Sequence, residues 1–265
     1  MTEPILQVEH LTKRFGGVTA VEDVSFEVFP GEIVAVIGPN GAGKTTLFNM
    51  ITCFTPPTEG IVKLNGQNIT DKKIFELAPL GMMRTFQNLE VFGSMTALEN
   101  LMTGISVQLK NRVFAAGLRL KSARKEEQYA YEKAMELIEL TGLQGLEHTL
   151  VEQMSYGQQK KVEFAQTIIS NPQLVLLDEP MAGLNEVETE AMADTILQMR
   201  DRGMTFLFVE HKMATIMRIA DRIVVLDFGK KIAEGIPAEI QKNEDVIRAY
   251  IGGDLDDVKS SEYSH

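Results

Sequence analysis

The sequence has little cysteine, no long apolar run and a shortage of positive charge. Cys53 is its one cysteine in 265 residues, which excludes a disulfide framework and a zinc site built from cysteines. No apolar run approaches the ~18 residues that a membrane-spanning helix needs. The N-terminus MTEPILQVEHLTKRF also lacks the apolar segment that directs export. We therefore expect a protein of a reducing, cytoplasmic compartment.

The charge balance is acidic, with a net charge of -11 at pH 7. This balance argues against nonspecific binding to nucleic acid, and we predict no nucleic-acid partner. The segment 110–125 is a local exception, because it contains no acid and carries Lys110, Arg112, Arg119, Lys121, Arg124 and Lys125. It is either a solvated helix face or a contact with anionic lipid headgroups, and the sequence leaves both interpretations open.

What the chain does contain is enough apolar material for a core, at 44% hydrophobic residues. Short apolar runs alternate with helical patterns, which is typical of an α/β protein with a largely parallel sheet. The runs that predict strands buried on both faces are 33–37, 174–177, 204–209 and 223–226. Three further runs, at 5–8, 24–28 and 61–65, predict a smaller antiparallel section.

The middle of the chain has a different pattern. From about Leu98 to Ser170 helical periodicity dominates, for example at Ala130, Ala134, Leu137 and Ile138. We predict a single domain over 1–253, with an α/β core at about 1–97 and 171–253 and a helical subdomain at about 98–170. The tail 254–265 is polar and acidic, and we predict that it is disordered.

A phosphate-binding motif lies at 38–46, where GPNGAGKTT matches G-x-x-x-x-G-K-[ST] in full. It follows an apolar strand and precedes a helical pattern, as the motif requires. Its glycines let backbone N–H groups close on phosphate oxygens, and the helix N-terminus adds partial positive charge. Lys44 would reach the β- and γ-phosphates, and Thr45 would offer its hydroxyl to Mg²⁺. The sequence predicts a nucleoside-triphosphate site formed by Gly38, Pro39, Asn40, Gly41, Ala42, Gly43, Lys44, Thr45 and Thr46.

A second motif, LVLLDEP at 174–180, places two acids where a buried strand ends. Asp178 at this position can hold Mg²⁺, directly or through water. Because side chains alternate along a strand, Glu179 is expected to point to the other side, where it can polarise a water in line with the γ-phosphate. A solvated strand end fits the two acids equally well in isolation, and the phosphate loop upstream favours the catalytic interpretation.

Three more segments complete a resemblance to the ABC ATPase family that covers almost the whole chain: RTFQN around Gln87, MSYGQQ at 154–159 and VEHKM around His211. The resemblance implies a P-loop NTPase core of the α/β class. MSYGQQ is similar to the family's LSGGQ signature, with Tyr156 where Gly is commonest. In the family, the helix N-terminus at this signature binds the γ-phosphate of the ATP that the other subunit holds, which implies that role for Ser155, Gly157 and Gln158. The residues alone also fit a capping box that opens a helix.

The same resemblance assigns the remaining site residues. It implies that Gln87 contacts Mg²⁺ and the attacking water and senses the membrane partner, and that His211 contacts the γ-phosphate. Phe15 in KRFGG corresponds to the aromatic residue that stacks on adenine. The expected catalytic residues are Glu179, His211 and Gln87, and the expected metal ligands are Thr45, Gln87 and Asp178.

Three further stretches look like the ATPase subunits of branched-chain amino acid importers: RTFQNLEVFGSMTALENL, the run from MSYGQQ to AGLN at 182–185, and GKKIAEGIPAEIQKNEDVIRAYIG at 229–252. Tyr156 and Asn185 are unusual in the general family and fit this group. Asn185 stands where Asp is commoner, which removes a charge from the segment that meets the other cassette. Transport of branched-chain amino acids is therefore an expectation from the resemblance, since the ATPase itself meets no amino acid.

The resemblance also implies partners and a location. Two cassettes would hydrolyse ATP with Mg²⁺ at sites formed between them, and the second cassette is a copy of this chain or a related subunit. They would lie peripherally on the cytoplasmic face of the inner membrane, bound to two integral-membrane permease subunits. A substrate-binding protein would take part indirectly.

Other functions stay open at this point. A urea or amide importer and a lipopolysaccharide exporter carry similar cassettes. A soluble ABC ATPase of translation or DNA repair would usually carry two cassettes or a long coiled coil, and this chain shows one cassette and no heptad run. A P-loop kinase is the third alternative. The ordered series of Gln87, Ser155, Asp178, Glu179 and His211 argues against it.

Overall fold

A computed structural model describes residues 3–85, 89–105 and 121–250. These residues form two compact units, the first before Ala78 and after Met204, and the second from Ala78 to Met204. Gln87, most of the basic segment 110–125 and the tail 254–265 lie outside the described residues. The boundaries of the helical subdomain stay a prediction.

The strands are β1 (Leu6–Phe15), β2 (Val18–Val28), β3 (Ile33–Ile37), β4 (Glu59–Leu64), β5 (Gln67–Asn68), β6 (Met82–Arg84), β7 (Leu174–Asp178), β8 (Thr205–Val209), β9 (Arg222–Asp227) and β10 (Lys230–Gly235). The α-helices in the described ranges are α1 (Lys44–Ile51), α2 (Ala97–Gly104), α3 (Lys121–Leu140), α4 (Tyr156–Ile168), α5 (Glu186–Asp201), α6 (Met213–Ile219) and α7 (Pro237–Ile240). None of these helices combines the length and apolar character needed to cross a bilayer.

The strand predictions are confirmed where the sequence is most apolar. The four fully buried runs are β3, β7, β8 and β9, and the predicted antiparallel section consists of β1, β2 and β4. Two strands were missed, the three-residue β6 of the second unit and the polar β10 of the first. Neither carries a continuous apolar run, so periodicity alone could not reveal them.

The first unit contains a sheet with β3 at its centre. β3 pairs in parallel with β8 on one side and with β9 on the other, and β10 adds to β9 in antiparallel fashion. All five residues of β3 are fully buried, which explains the unbroken apolar sequence IVAVI. The phosphate-binding motif begins at the carboxyl end of this strand, the end where ligands bind in open α/β sheets.

A second, antiparallel sheet in the same unit has the order β2-β1-β4-β5. The guanidinium of Arg222 on β9 joins the two sheets. Its Nε lies 2.7 Å from Oε1 of Glu32, and its Nη2 donates to the carbonyl oxygen of Glu27 at 2.6 Å. The edge of the antiparallel sheet is thereby fixed beside the strands that support the phosphate-binding motif.

The second unit combines two parallel strands with helices. β6 pairs with β7, and Arg84 lies opposite Leu176. Helix α2 approaches α4 so closely that a Cβ on Gly104 would lie 2.3 Å from the carbonyl oxygen of Gln166. No strand occurs among the described residues between 98 and 170, in agreement with the predicted helical character.

Candidate nucleotide site

The segment 38–46 connects β3 to α1 in the first unit. Gly38 and Gly43 have positive φ angles of 156° and 95°. A Cβ on Gly38 would lie 2.2 Å from the carbonyl oxygen of Leu226, and a Cβ on Gly43 would lie 2.5 Å from that of Ala20. Since these contacts are to backbone atoms, which cannot move aside cheaply, the loop requires glycine at both positions.

Lys44 directs its charge into this loop. Its Nζ donates to the carbonyl oxygens of Gly38 at 2.7 Å and Pro39 at 2.9 Å, and the residue is only 7% exposed. Thr45, next in the chain, is exposed. The loop therefore offers a cation held by its own carbonyl groups and an exposed threonine at the N-terminus of α1, where backbone N–H groups favour anions.

Phe15 ends β1, also in the first unit, and is 52% exposed. The Nζ of Lys13 lies 5.1 Å from the centre of its ring. An ammonium at this distance is attracted to the face of an aromatic ring. The half-exposed flat ring retains the surface that stacking on a base requires.

Tyr250 is a residue at the phosphate loop that the sequence analysis missed. Burial raises the pKa of Tyr250 to about 12, and a hydrogen bond with the backbone of Gly38 partly opposes that shift. No motif marks this tyrosine, because it lies near the C-terminus, far in sequence from the loop that it touches.

Asp178 and Glu179 occupy different positions at the end of β7 in the second unit. Asp178 is the last residue of the strand and is 3% exposed, with its Oδ2 2.8 Å from Nη2 of Arg84. Glu179 lies beyond the strand with a φ of +52°. Strand alternation, from which its orientation was predicted, therefore stops before Glu179 and does not apply to it. A left-handed backbone at a residue other than glycine is costly and is frequent at functional sites.

The capping box predicted for Ser155 is confirmed. The Ser155 Oγ accepts a hydrogen bond from the Gln158 N–H at 3.3 Å, and the Gln158 Oε1 accepts one from the Ser155 N–H at 2.9 Å. Helix α4 begins at the next residue, Tyr156, which is exposed, as is Ser155. This helix therefore presents its N-terminus, with its partial positive charge, at the surface of the second unit.

The two residues that depart from the general family pattern, Tyr156 and Asn185, lie in two segments that contact each other. A Cβ on Gly183 would lie 2.7 Å from Cε1 of Tyr156, and a Cβ on Gly157 would lie 2.2 Å from Oε1 of Glu188. Glu188 in turn forms a capping box with Asn185, which opens α5. We call Ser155–Gln158 together with Gly183–Glu188 the signature cluster. In this cluster the two segments contact each other, and no sequence motif indicates that contact.

A Gly183→Ala variant should lose stability for two separable reasons. Alanine is strained at a φ of +78°, and its Cβ would meet the ring of Tyr156. We expect a loss of about 1–3 kcal/mol for the strained conformation. In a Tyr156→Gly background the ring contribution should vanish, which gives a coupling of about 0.5–1 kcal/mol in a double-mutant cycle measured by urea unfolding. Additive losses would contradict the contact between Gly183 and Tyr156.

His211 follows β8 in the first unit. It is exposed, and its backbone N–H donates to Oε2 of Glu210 at 2.7 Å, while Glu210 is 3% exposed. The predicted site residues thus divide between the units. The first unit contains Phe15, the segment 38–46 and His211, and the second contains Ser155, Gly157, Gln158, Asp178 and Glu179.

The chemistry of these residues fits a magnesium-bound triphosphate. The loop of the first unit holds the ammonium of Lys44, which donates to the carbonyl oxygens of Gly38 and Pro39 and can pair with phosphate charge. The hydroxyl of Thr45 and the carboxylate of Asp178 are oxygen donors, the ligands that Mg²⁺ prefers. The loop therefore suits phosphate oxygens, and the two oxygen donors suit Mg²⁺.

Two family models match the chain. The model of the ABC transporter family, ABC_tran, matches residues 21–182, and that of the branched-chain amino acid ATP-binding cassette transporter matches residues 230–256. The second match contains Tyr250, the residue that bonds to Gly38.

Similar proteins cover nearly the full length of the chain. The high-affinity branched-chain amino acid transport ATP-binding protein LivG of Escherichia coli (strain K12) is 41% identical over 255 residues, which is 95% of this chain and 99% of that protein. The corresponding protein BraF of Pseudomonas aeruginosa is 40% identical over 253 residues, again 95% and 99%.

Among solved structures, an ATP-binding cassette of an ABC transporter in its ADP conformation matches with a TM-score of 0.82 and 34% identity, over 95% of this chain and all of that one. A nucleotide-free cassette matches with a TM-score of 0.80 and 32% identity, over 94% and 99%. These likenesses confirm the predicted fold class and the predicted resemblance. The chain belongs to the ABC transporter family, in the branched-chain amino acid group of its ATP-binding subunits, and is a nucleotide-binding ATPase.

Proposed function

We propose that this chain hydrolyses Mg²⁺-ATP to drive a branched-chain amino acid importer. It would work as one of two cassettes on the cytoplasmic face of the inner membrane, bound peripherally to two permease subunits and served indirectly by a substrate-binding protein. The observation that carries this proposal is the likeness to LivG and BraF over 95% of the chain, together with the separate match of 230–256. The phosphate loop supports it independently.

The phosphate loop would bind the triphosphate. Lys44 would exchange its two carbonyl partners for phosphate oxygens, which are stronger acceptors because they are charged. The backbone N–H groups of 41–46 would supply the remaining donors, and Phe15 would stack on the adenine ring. When bound, Mg²⁺ neutralises phosphate charge and orients the β- and γ-phosphates. We assign its protein ligands to Thr45, Asp178 and Gln87.

Glu179 would act as the general base. A carboxylate next to the γ-phosphate can accept the proton of the attacking water, and Glu179 has the left-handed backbone that is frequent at functional sites. His211 would contact the γ-phosphate, and Gln87 would orient the water. The base and the phosphate-binding groups are separate residues, so binding and chemistry can be lost independently.

The exposed N-terminus of α4 would act on the other cassette. Ser155, Gly157 and Gln158 would bind the γ-phosphate of the nucleotide held by the phosphate loop of the second subunit. Support comes from the exposure of Ser155 and from its place as the cap of α4, because a helix N-terminus carries partial positive charge. The second subunit is a copy of this chain or a related cassette.

A Ser155→Arg variant should retain ATP binding as an isolated chain and lose turnover. The bulky side chain would stand where the second cassette must close, while the phosphate loop in the first unit stays intact. Calorimetry should give an ATP affinity within about twofold of wild type, and the ATPase rate should fall by about 100-fold or more, as expected when transition-state donors are removed. Ser155→Thr, which keeps a capping hydroxyl, serves as the matched control. Hydrolysis near the wild-type rate would reduce this helix end to a structural cap.

The transport assignment is tested by reconstitution. The chain, co-expressed with a pair of candidate permease subunits, should co-purify with them. In vesicles, its ATPase activity should rise when the binding protein is loaded with leucine, isoleucine or valine, and not with urea. Stimulation by urea alone would replace the proposed substrate class, and failure to associate with any permease would support a soluble ABC ATPase.

A further inference from the structure

We propose that Arg84 is a positioning residue that orients the carboxylate of Asp178 toward the metal. This inference rests on the proposed function, in which Asp178 holds Mg²⁺. It adds to that function a residue that neither the phosphate loop, the signature nor the acidic motif contains.

The contact between the two side chains is direct and buried. Nη2 of Arg84 lies 2.8 Å from Oδ2 of Asp178, and the side chains are 7% and 4% exposed. Two opposite charges buried from water stabilise one another only when their geometry is good, and a carboxylate left alone there would be strongly unfavourable. The arginine therefore compensates the charge of Asp178 where solvent cannot.

The backbone reinforces this arrangement. Because β6 and β7 are parallel and Arg84 lies opposite Leu176, the two strands end side by side. The Thr85 N–H donates to the carbonyl oxygen of Leu176 at 2.9 Å, and the Asp178 N–H donates to Oγ1 of Thr85 at 3.2 Å. The end of β6 thus holds both the main chain and the side chain of Asp178.

The chemistry of arginine suits this task. A guanidinium donates in fixed directions, so its bond to one oxygen restricts the rotation of the carboxylate and leaves the other oxygen for a second partner. Since Arg84 contacts Oδ2, we assign Oδ1 to Mg²⁺ or to a water bound to it. Groups that orient a metal ligand in this way typically change metal affinity by about 10- to 100-fold when they are removed.

The test compares wild type with Arg84→Gln and Arg84→Lys in the full chain. Calorimetry measures ATP affinity in EDTA and in saturating Mg²⁺, and a kinetic titration gives the Mg²⁺ concentration for half-maximal hydrolysis. For Arg84→Gln we expect an affinity for ATP in EDTA within about twofold of wild type, but loss of most of the increase in ATP affinity that Mg²⁺ gives to wild type. The Mg²⁺ concentration for half-maximal hydrolysis should be about tenfold higher or more. Arg84→Lys should recover part of this loss, because it keeps the charge without the planar fork.

Lys160→Gln is the matched control. It breaks another buried ion pair of the second unit, in which Nζ of Lys160 lies 3.3 Å from Oε2 of Glu163 and the side chains are 3% and 5% exposed. It should lower the melting temperature without changing the dependence on Mg²⁺. If Arg84→Gln does not fold, the Mg²⁺ titration of Arg84→Lys decides the question, with an unchanged half-maximal concentration counting against positioning.

Four outcomes would overturn the inference. A lower half-maximal Mg²⁺ concentration in Arg84→Gln would make the arginine a competitor of the metal. An equal loss of affinity in EDTA and in Mg²⁺ would make it purely structural. If Arg84→Gln behaves as wild type while Asp178→Asn loses the increase in ATP affinity on adding Mg²⁺, Arg84 has no positioning role and the proposed function is unaffected. If Asp178→Asn itself keeps the full gain, the assignment of Asp178 fails and the role of Arg84 fails with it.

Discussion

In a Lys44→Ala variant, we expect ATP affinity to fall by about 100-fold or more while the chain stays folded. The side chain already points into the phosphate loop, where it donates to the carbonyl oxygens of Gly38 and Pro39. Without it the phosphate loop would offer the triphosphate only backbone dipoles. A hydrogen bond to a charged group is worth about 1.5–3 kcal/mol, and 1.4 kcal/mol is tenfold in affinity, so losing two such bonds accounts for the change.

The matched control for this variant is Lys63→Ala. It removes the same charge from the same unit, at a lysine whose Nζ lies 2.7 Å from Oε1 of Glu9. Its ATP affinity by calorimetry should equal that of wild type. Normal affinity in a folded Lys44→Ala protein would show that the segment 38–46 does not bind the phosphates.

A Glu179→Gln variant should separate binding from chemistry. The amide keeps the size and an acceptor oxygen of the carboxylate but is not basic, so ATP should bind with unchanged affinity. Hydrolysis should slow by about 10²- to 10⁴-fold, the usual contribution of a general base. A steady-state ATPase assay alongside calorimetry measures both effects on the same preparation.

Glu127→Gln, an exposed glutamate on α3 of the same unit, serves as the control and should leave both quantities unchanged. Two results would count against the assignment of Glu179. A near-normal rate would move the base elsewhere, with His211 as the next candidate. Loss of ATP binding would make Glu179 a metal ligand or a structural residue instead.

Local sequence patterns predict much of the fold. The strands β3, β7, β8 and β9 are continuous apolar runs because neighbours cover both of their faces, and such runs are visible without any structure. The capping box of Ser155 and Gln158 was equally accessible, since its partners are three residues apart. Both kinds of signal come from residues that are close in sequence.

The features that sequence reasoning missed depend on contacts between distant residues. Arg84 pairs with Asp178 across two strands, Tyr156 lies against Gly183, and Tyr250 bonds to Gly38. None of these pairs has a fixed spacing that a motif could express. The turn at Glu179 was missed for another reason, because alternation predicts direction only within a strand.

The central claim is that ATP held by the phosphate loop of one chain is also bound by the signature cluster of another. Sedimentation of the Glu179→Gln protein tests it most directly, since unhydrolysed ATP should hold two copies together. With ATP we expect a dimer, and without nucleotide or after adding Ser155→Arg to the same chain we expect a monomer. A monomer at every ATP concentration that saturates binding would assign the second cassette to a related subunit, and a dimer that persists with Ser155→Arg would contradict this account.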